Sequence, residues 1–404
     1  MRIQKEKARF QWDSSTVLVL ISCVCLVIQL YAIPFKRTSL MSLANQGLLW
    51  SWVLGAGYLI VKKMTKSIPF QLIHVLSLVV FVIFSCAASF IQGGATAKEN
   101  ITAMLNFLVL PIMFLYCALF GISDHAKKIA LITNFVLSLL FIYLFNSDKA
   151  YLYPTKYDFE HQINAATLGY PNPNQTAMYL FVCTVNLFIS FLYVKKKPIK
   201  CLLILDLVYV AYIMYQTESR TAVLVLCLVI ALAVLMLYRP IPKVWVKLVL
   251  LIPFLYVLFA QFWAGVFEGV TFMGQDVLTG REQIYNQYFS LLTPFTFFLG
   301  NFTVFQFDNL HNGYLSIAAT SGIFALVSFI FMLNHEITRS YQYSEFSKVE
   351  KAGFAGFLGV VLYSCTEAAM FVGGSTYAFL ILTIYLIFTR PHKVENESGE
   401  VRIR

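Results

Sequence analysis

Three side chains that could bind a phosphate or move a proton stand in separate polar stretches of this sequence: Arg220, Arg281 and His311. A guanidinium suits phosphate because it offers two parallel N–H donors, and an imidazole can accept a proton near neutral pH. Glu218 is a second candidate base, or the ion-pair partner of Arg220. Each residue also has an ordinary explanation at a membrane surface, such as a snorkelling arginine, a local ion pair or an anchoring histidine.

Amide and tyrosine side chains that suit carbohydrate stand in the same polar stretches and in the 170–175 stretch. Asn172, Asn174 and Gln175 carry amides, which donate and accept hydrogen bonds at once, as sugar hydroxyls require. Tyr285 offers a flat ring to a sugar, although an interfacial aromatic belt would also explain a tyrosine here. Combined, these residue types predict a site where a carbohydrate meets a phosphate.

The composition indicates which elements must position these side chains. The chain has 404 residues, of which 59% are hydrophobic and 12% are charged. Soluble domains carry roughly 25% charged residues, so this much apolar surface requires lipid around it. Within lipid only helices or closed barrels satisfy the backbone. Long unbroken apolar runs favour helices, because barrel strands would alternate polar and apolar residues.

Twelve apolar stretches are candidates to cross the hydrocarbon core, which takes about 20 helical residues. We therefore predict an all-α, polytopic integral membrane protein with about twelve transmembrane helices and a large external loop, containing short helices, between spans nine and ten. The spans are approximately 16–33, 40–61, 71–91, 101–120, 128–146, 176–194, 199–215, 221–238, 244–264, 313–333, 353–372 and 375–389.

The distribution of basic residues predicts the orientation. Of the 30 lysines and arginines, 23 fall on the side of the N-terminus and 7 on the other side. Because cytosolic loops carry the excess of basic residues, both termini are expected in the cytosol. The net charge of +10 is thus explained by short clusters beside the membrane, and we expect no nucleic-acid partner.

The predicted topology forms one transmembrane domain over 1–390, followed by a cytosolic tail at 391–404. Its two longest external loops, 147–175 and 265–312, would form the active site, because connections this long are usually functional or disordered. Arg220, Arg281 and His311 all fall on the external side. Glu367 and Asp206 are ionisable residues within predicted spans and are therefore functional candidates by default, although either could be a protonated acid bonded to a neighbouring helix.

Four short motifs on the external side occur in a characteristic order. They are 172–175 (Asn-Pro-Asn-Gln), 219–222 (Ser-Arg-Thr-Ala), 280–281 (Gly-Arg) and 311–315 (His-Asn-Gly-Tyr-Leu). In this order the chain resembles the Wzy-type polymerases of O-antigen and capsule synthesis, within the group that includes the O-antigen ligases. The resemblance covers about residues 165–335, and the first 140 residues resemble the family only in hydropathy.

The resemblance implies a GT-C-like, membrane-embedded and metal-independent glycosyltransferase that needs no cofactor. Its substrates would be oligosaccharide repeat units on undecaprenyl diphosphate, at the outer face of the bacterial cytoplasmic membrane. Arg220 and Arg281 would hold the diphosphate, His311 would orient or deprotonate the acceptor hydroxyl, and Glu218 would be a second base. Asn172, Asn174, Gln175, Asn312, Tyr314 and Tyr285 would contact substrate.

Other functions remain open at this point. An O-antigen ligase would use similar arginine and histidine positions with a different acceptor. A secondary transporter or a flippase would also have twelve spans, although such proteins usually show repeated halves and a polar centre. The lipid bilayer and a lipid-linked oligosaccharide are the expected partners, together with a chain-length regulator and a separate flippase.

Overall fold

The fold is that of a helical membrane protein. In this computed structural model we describe residues 13–64, 76, 79–84, 86–87, 97–152, 165–239, 241–262, 270–272, 275–276, 281–300, 310–344, 347–372 and 374–388. The predicted tail 391–404, the middle of the 147–175 loop and parts of the 265–312 loop lie outside these residues. So does most of the predicted span 71–91.

The first half of the chain forms long helices joined by short connections. In chain order the helices are α1 (Ser14–Ala32), α2 (Thr38–Trp50), a π-helical segment (Ser51–Ala56), α3 (Gly57–Met64), α4 (Ala97–Phe120), α5 (Asp124–Phe145), α6 (Pro173–Tyr193), α7 (Lys197–Gln216) and α8 (Arg220–Tyr238).

The second half contains shorter elements between its long helices. They are α9 (Lys243–Leu248), a 3₁₀ segment (Val249–Leu251), α10 (Ile252–Phe262), β1 (Thr271–Phe272), β2 (Gln275–Asp276), α11 (Arg281–Ser290), α12 (Pro294–Leu299), α13 (Gly313–Ser344), α14 (Lys348–Tyr363), α15 (Ala369–Val372), α16 (Ser375–Tyr385) and a 3₁₀ segment (Leu386–Phe388). The strands β1 and β2 pair antiparallel as a single short ladder within the 265–312 loop.

Seven helices among the described residues are long and apolar enough to cross a membrane. They are Ser14–Ala32, Asp124–Phe145, Pro173–Tyr193, Lys197–Gln216, Arg220–Tyr238, Lys243–Phe262 and Gly313–Gln342. Every one coincides with a predicted span to within a few residues, apart from the last, which extends further. The polytopic helical class is therefore confirmed, and the number twelve stays a prediction.

Side-chain caps fix where several helices begin. Asp13 accepts a hydrogen bond of 2.7 Å from the Thr16 amide at the start of α1. Asn172 accepts one of 2.7 Å from the Asn174 amide at the start of α6, where Pro173 occupies the first helical position. Such caps satisfy N–H groups that have no partner inside the helix.

Helix α14 lies in the core and contacts its neighbours through glycines. A Cβ atom added at Gly359 would lie 2.2 Å from Val229 Cγ2 of α8, and one at Gly356 would lie 2.6 Å from Val185 Cγ1 of α6. Small residues allow membrane helices to approach closely, which replaces the hydrophobic driving force that lipid removes. The position of α14 in turn fixes where the chain after Tyr363 emerges.

Helix α13 bends sharply at Gly322, which has φ +82 and is non-helical. The ring of Phe371 packs on Tyr314 of the first arm and on Phe329 of the second arm, at centroid distances of 5.3 and 5.0 Å. The end of α12 fills the bend, because a Cβ at Gly322 would lie 2.0 Å from the Phe298 carbonyl oxygen. The predicted span 313–333 is thus two helical arms rather than one straight rod.

Candidate active site

The centre of the candidate site is a carboxylate that lies between a guanidinium and an imidazole. Arg281 Nη2 and His311 Nδ1 each lie 3.8 Å from the same oxygen, Glu367 Oε1. The side chains of Glu367 and Arg281 are only 6% and 12% exposed, whereas that of His311 is 27% exposed. The arginine and the histidine, which are 30 residues apart in the sequence, therefore meet around one buried acid.

Arg281 is held by three elements of the fold. It occupies the first turn of α11, its Nη1 donates to the Tyr256 hydroxyl of α10 at 3.5 Å, and its Nη2 donates to the Thr366 carbonyl at 3.3 Å. Burial acts to lower the pKa of the guanidinium, but the neighbouring Tyr256 and Glu367 outweigh it and raise the pKa. Arg281 therefore keeps its positive charge.

His311 lies two residues before the first arm of α13. Its φ is +46, in the left-handed region that a non-glycine residue adopts only at a cost. Two residues later the Gly313 amide donates to the Ser364 carbonyl at 2.8 Å, which ties the start of α13 to the chain beside Glu367. The strained backbone and this tie aim the imidazole towards the acid.

Asn312 and Tyr285 support this arrangement. Asn312 Oδ1 accepts hydrogen bonds of 3.0 Å from the Tyr314 and Leu315 amides, so it caps α13. Tyr285 is fully buried in an apolar cluster with Leu310 and Leu315, and burial raises the pKa of its hydroxyl. The structure thus places both residues behind the candidate site, where Asn312 caps α13 and Tyr285 packs against its first turn.

Glu367 enters the site because the predicted span 353–372 is broken. Helix α14 ends at Tyr363, and Glu367 lies in the irregular turn that separates it from α15. The 16 residues of α14 rise about 24 Å at 1.5 Å each, so the turn lies near the membrane face opposite Lys348. The continuous span was a wrong expectation, since Ser364, Thr366 and Glu367 interrupt the apolar run. The signal available beforehand was an acid within that run.

The turn that carries Glu218 and Arg220 borders the candidate site where Ser219 faces Tyr363. Tyr363, the last residue of α14, faces Ser219 and lies close enough to Arg281 and Glu367 to interact with both. Glu218 has φ +56, so the backbone turns sharply there before Arg220 opens α8. The structure therefore brings this turn to the edge of the site, where Arg220 is half-buried.

The 172–175 stretch reaches the site through stacked tyrosines. Gln175 Nε2 donates to the Tyr179 hydroxyl at 2.9 Å, and the Tyr179 ring stacks on Tyr377 with centroids 5.3 Å apart. Tyr377 in turn lies within electrostatic range of Glu367. The Tyr179–Tyr377 stack thus connects α6 to α16, and Gln175 supports Tyr179 from one turn earlier in α6.

Asn172, Asn174 and Tyr314 lie in other surroundings. Asn172 caps α6 by accepting from the Asn174 amide, and Asn174 is half-buried at the start of that helix. The hydroxyl of Tyr314 donates to the Val361 carbonyl at 3.4 Å, and its ring packs edge-on against Phe371 in the core. The structure therefore assigns packing contacts to Tyr314, and Asn172 has a capping contact.

The assembled site offers a defined set of chemical groups. Arg281 supplies positive charge, His311 supplies a partly exposed imidazole, and Glu367 supplies a buried acid that touches both. Within the described ranges no three His, Cys, Asp or Glu side chains are grouped as metal ligands. These groups can hold an anion and accept a proton from a neighbouring hydroxyl.

No known family model matches the chain, and no curated protein matches it.

Proposed function

We propose that this protein is a membrane-embedded polymerase that joins oligosaccharide repeat units carried on undecaprenyl diphosphate. The observation that carries the proposal is the shared contact of Arg281 and His311 with Glu367. Glycosyl transfer from a lipid diphosphate needs a cation for the leaving group and a base for the acceptor hydroxyl. Both groups lie here beside the turn where the helical path breaks between α14 and α15.

In the proposed reaction His311 accepts the proton of an acceptor hydroxyl. The hydroxyl oxygen then forms a bond with the anomeric carbon of the donor chain, and the bond from that carbon to the diphosphate breaks. Undecaprenyl diphosphate leaves with the electron pair. General base catalysis of this kind typically contributes about 10²–10⁴ in rate.

The guanidinium of Arg281 stabilises the charge that grows on the departing diphosphate, with Arg220 as the second cation at the edge of the site. A well-placed donor of this type is typically worth about 3–4 kcal/mol in the transition state. When the diphosphate engages Arg281, Glu367 remains beside His311. It then orients the imidazole, as a buried acid does for a histidine base.

The proposed site faces the outside of the bacterial cytoplasmic membrane, with both termini in the cytosol. This orientation follows from the distribution of basic residues. It also supplies the substrate in the right place, because repeat units that have been flipped outward present their diphosphate at the outer surface. A chain-length regulator and a flippase would be its partners in the cell.

The proposal can be tested in a strain that lacks this protein. A polymerase deficiency leaves single repeat units on lipid at the outer face, and Arg281→Ala and His311→Ala variants that insert normally fail to restore long polymer. Accumulation of single units at the cytosolic face would instead identify a flippase. Long polymer that stays on its lipid carrier would identify a ligase. Normal polymer made by both variants would remove these residues from the mechanism.

A further inference from the structure

A second acidic residue lies in the middle of a membrane helix, away from the candidate active site. Asp206 is the tenth residue of α7, about 14 Å from the helix start at 1.5 Å per residue. The hydrocarbon core is about 30 Å thick, so this carboxyl lies close to its centre. Asp206 is only 6% exposed, because its side chain points towards α5 and α6 rather than towards lipid.

The described surroundings of Asp206 contain no counter-charge. Among the described residues, the ion pairs involve other acids, and none joins Asp206 to a lysine, arginine or histidine. Its Oδ1 is buried and receives no hydrogen bond from the described part of the chain. The titratable neighbour contributed by α6 is Cys183, and its thiol donates to the Asn134 carbonyl at 3.3 Å.

The hydrogen bonds of Ser138 decide the state of this carboxyl. Ser138 Oγ lies 2.7 Å from the Phe135 carbonyl oxygen and 2.6 Å from Asp206 Oδ2. A serine hydroxyl has one proton and can donate only one full hydrogen bond. The Phe135 carbonyl and an ionised Asp206 would both be acceptors for that one proton, so only one of the two short contacts could be a full hydrogen bond. A proton on the acid would satisfy both contacts.

We propose that Asp206 is an intramembrane proton-binding site, in which Oδ2 carries the proton and donates it to Ser138 Oγ. This single proton completes a chain from Asp206 through Ser138 to the Phe135 carbonyl. It also removes the cost of an unpaired charge at the centre of the membrane. The site joins α7 to α5, and its occupancy is independent of the polymerase proposal.

Infrared difference spectroscopy tests this assignment. The wild type is compared with Asp206→Asn, which is neutral and of similar shape, both reconstituted in liposomes at pH 7. We expect the difference spectrum to contain the carbonyl band of a protonated carboxylic acid. An ordinary aspartic acid, with a pKa near 3.9, would be about 99.9% ionised at pH 7. Carboxylate bands in place of the acid band would overturn the proposal.

Two controls sharpen the test. Asp148→Asn removes a carboxylate that is 79% exposed, and its difference spectrum should contain only carboxylate bands. Ser138→Ala should keep the acid band but shift its frequency, because the acid loses its acceptor. Loss of the acid band on addition of Na⁺ at constant pH would show that a metal cation occupies the site instead.

A chemical measurement on the unmutated protein covers the case in which Asp206→Asn fails to fold. Dicyclohexylcarbodiimide partitions into lipid and adds to protonated carboxyl groups, and peptide mass mapping locates the adduct. At pH 7 we expect the adduct on Asp206, since its protonated fraction exceeds that of an ordinary aspartate by about 10³-fold. An adduct on Asp148 without one on Asp206 would overturn the proposal.

Discussion

Removing the negative charge of Glu367 tests the buried core of the candidate site most sharply. Two unit charges about 4 Å apart interact by about 4 kcal/mol at an effective dielectric constant of 20. The Arg281 contact is 3.8 Å long, and Arg281 keeps hydrogen bonds to Tyr256 and Thr366 when the acid is lost. We therefore expect Glu367→Gln to lower the free energy of unfolding by about 3 kcal/mol, the lower end of the range for breaking a buried pair.

A double-mutant cycle separates this pair from general damage. Arg281→Gln alone leaves Glu367 as a buried acid, whereas the double variant is neutral at both positions. The free energy of unfolding lost in the double variant should be smaller than the sum of the two single losses by about 1–3 kcal/mol, as is typical of residues in contact. Unfolding in mixed micelles, followed by tryptophan fluorescence, gives these free energies.

Asp148, the largely exposed partner of Lys149, provides the matched control. Asp148 is 79% exposed and lies 3.1 Å from Lys149, and exposed ion pairs are worth about 0–1 kcal/mol. Asp148→Asn should therefore leave stability nearly unchanged. Additive losses at Glu367 and Arg281, to within about 0.5 kcal/mol, would refute the shared contact.

Three further predictions concern the scaffold. Gly359→Ala should lower the free energy of unfolding by about 1–3 kcal/mol through overpacking, because its Cβ would lie 2.2 Å from Val229. Adding Val229→Ala should restore part of this stability. A Gly359→Ala variant as stable as the wild type would contradict the packing. Gly322→Ala should reduce the yield of folded protein in a detergent-extraction assay, because Gly322 has φ +82 and Phe298 occupies the space that a Cβ would need. A yield equal to that of the wild type would contradict the bend at Gly322. At Asp13 burial raises the pKa, but hydrogen bonds from Thr16, Ser15 and Ser123 outweigh it, so the pKa is lowered. The Asp13 cap therefore stabilises the fold above the pKa that Asp13 has in the unfolded state, and this stabilisation is lost as pH falls through its pKa in the folded state. Asp13→Ala should lower the free energy of unfolding by about 1 kcal/mol at pH 7 and by less at acidic pH. A loss of stability that does not change with pH would contradict this prediction.

The membrane helices were predictable because their signal is local. About 20 consecutive apolar residues are enough to mark a span, and α1, α5 and α6 begin and end close to their predicted limits. The bend at Gly322 was not predictable in the same way. It depends on the backbone of Phe298, which lies 24 residues earlier and contacts the bend only in the folded chain.

The candidate site divides along the same line. Topology placed Arg281 and His311 on one side of the membrane, and the structure brings both to a common oxygen. The sequence singled out Glu367 as an ionisable residue within a span, but it did not place this acid with Arg281 and His311, because hydropathy extended a helix through it. The cap that Asn312 makes is local, because it joins amides two and three residues later. The core packing of Tyr314 depends on contacts across the fold, which a motif in one sequence does not encode.

The polymerase account is tested most directly by reconstitution. The purified protein would be placed in liposomes with a chemically defined repeat unit on undecaprenyl diphosphate, without nucleotide sugar. The account predicts a ladder of products in which each step adds one repeat unit, together with release of undecaprenyl diphosphate. It also predicts that correctly folded His311→Ala and Arg281→Gln variants lose most of this activity. A wild-type protein that leaves the repeat unit unchanged, or variants that build the full ladder, would contradict it.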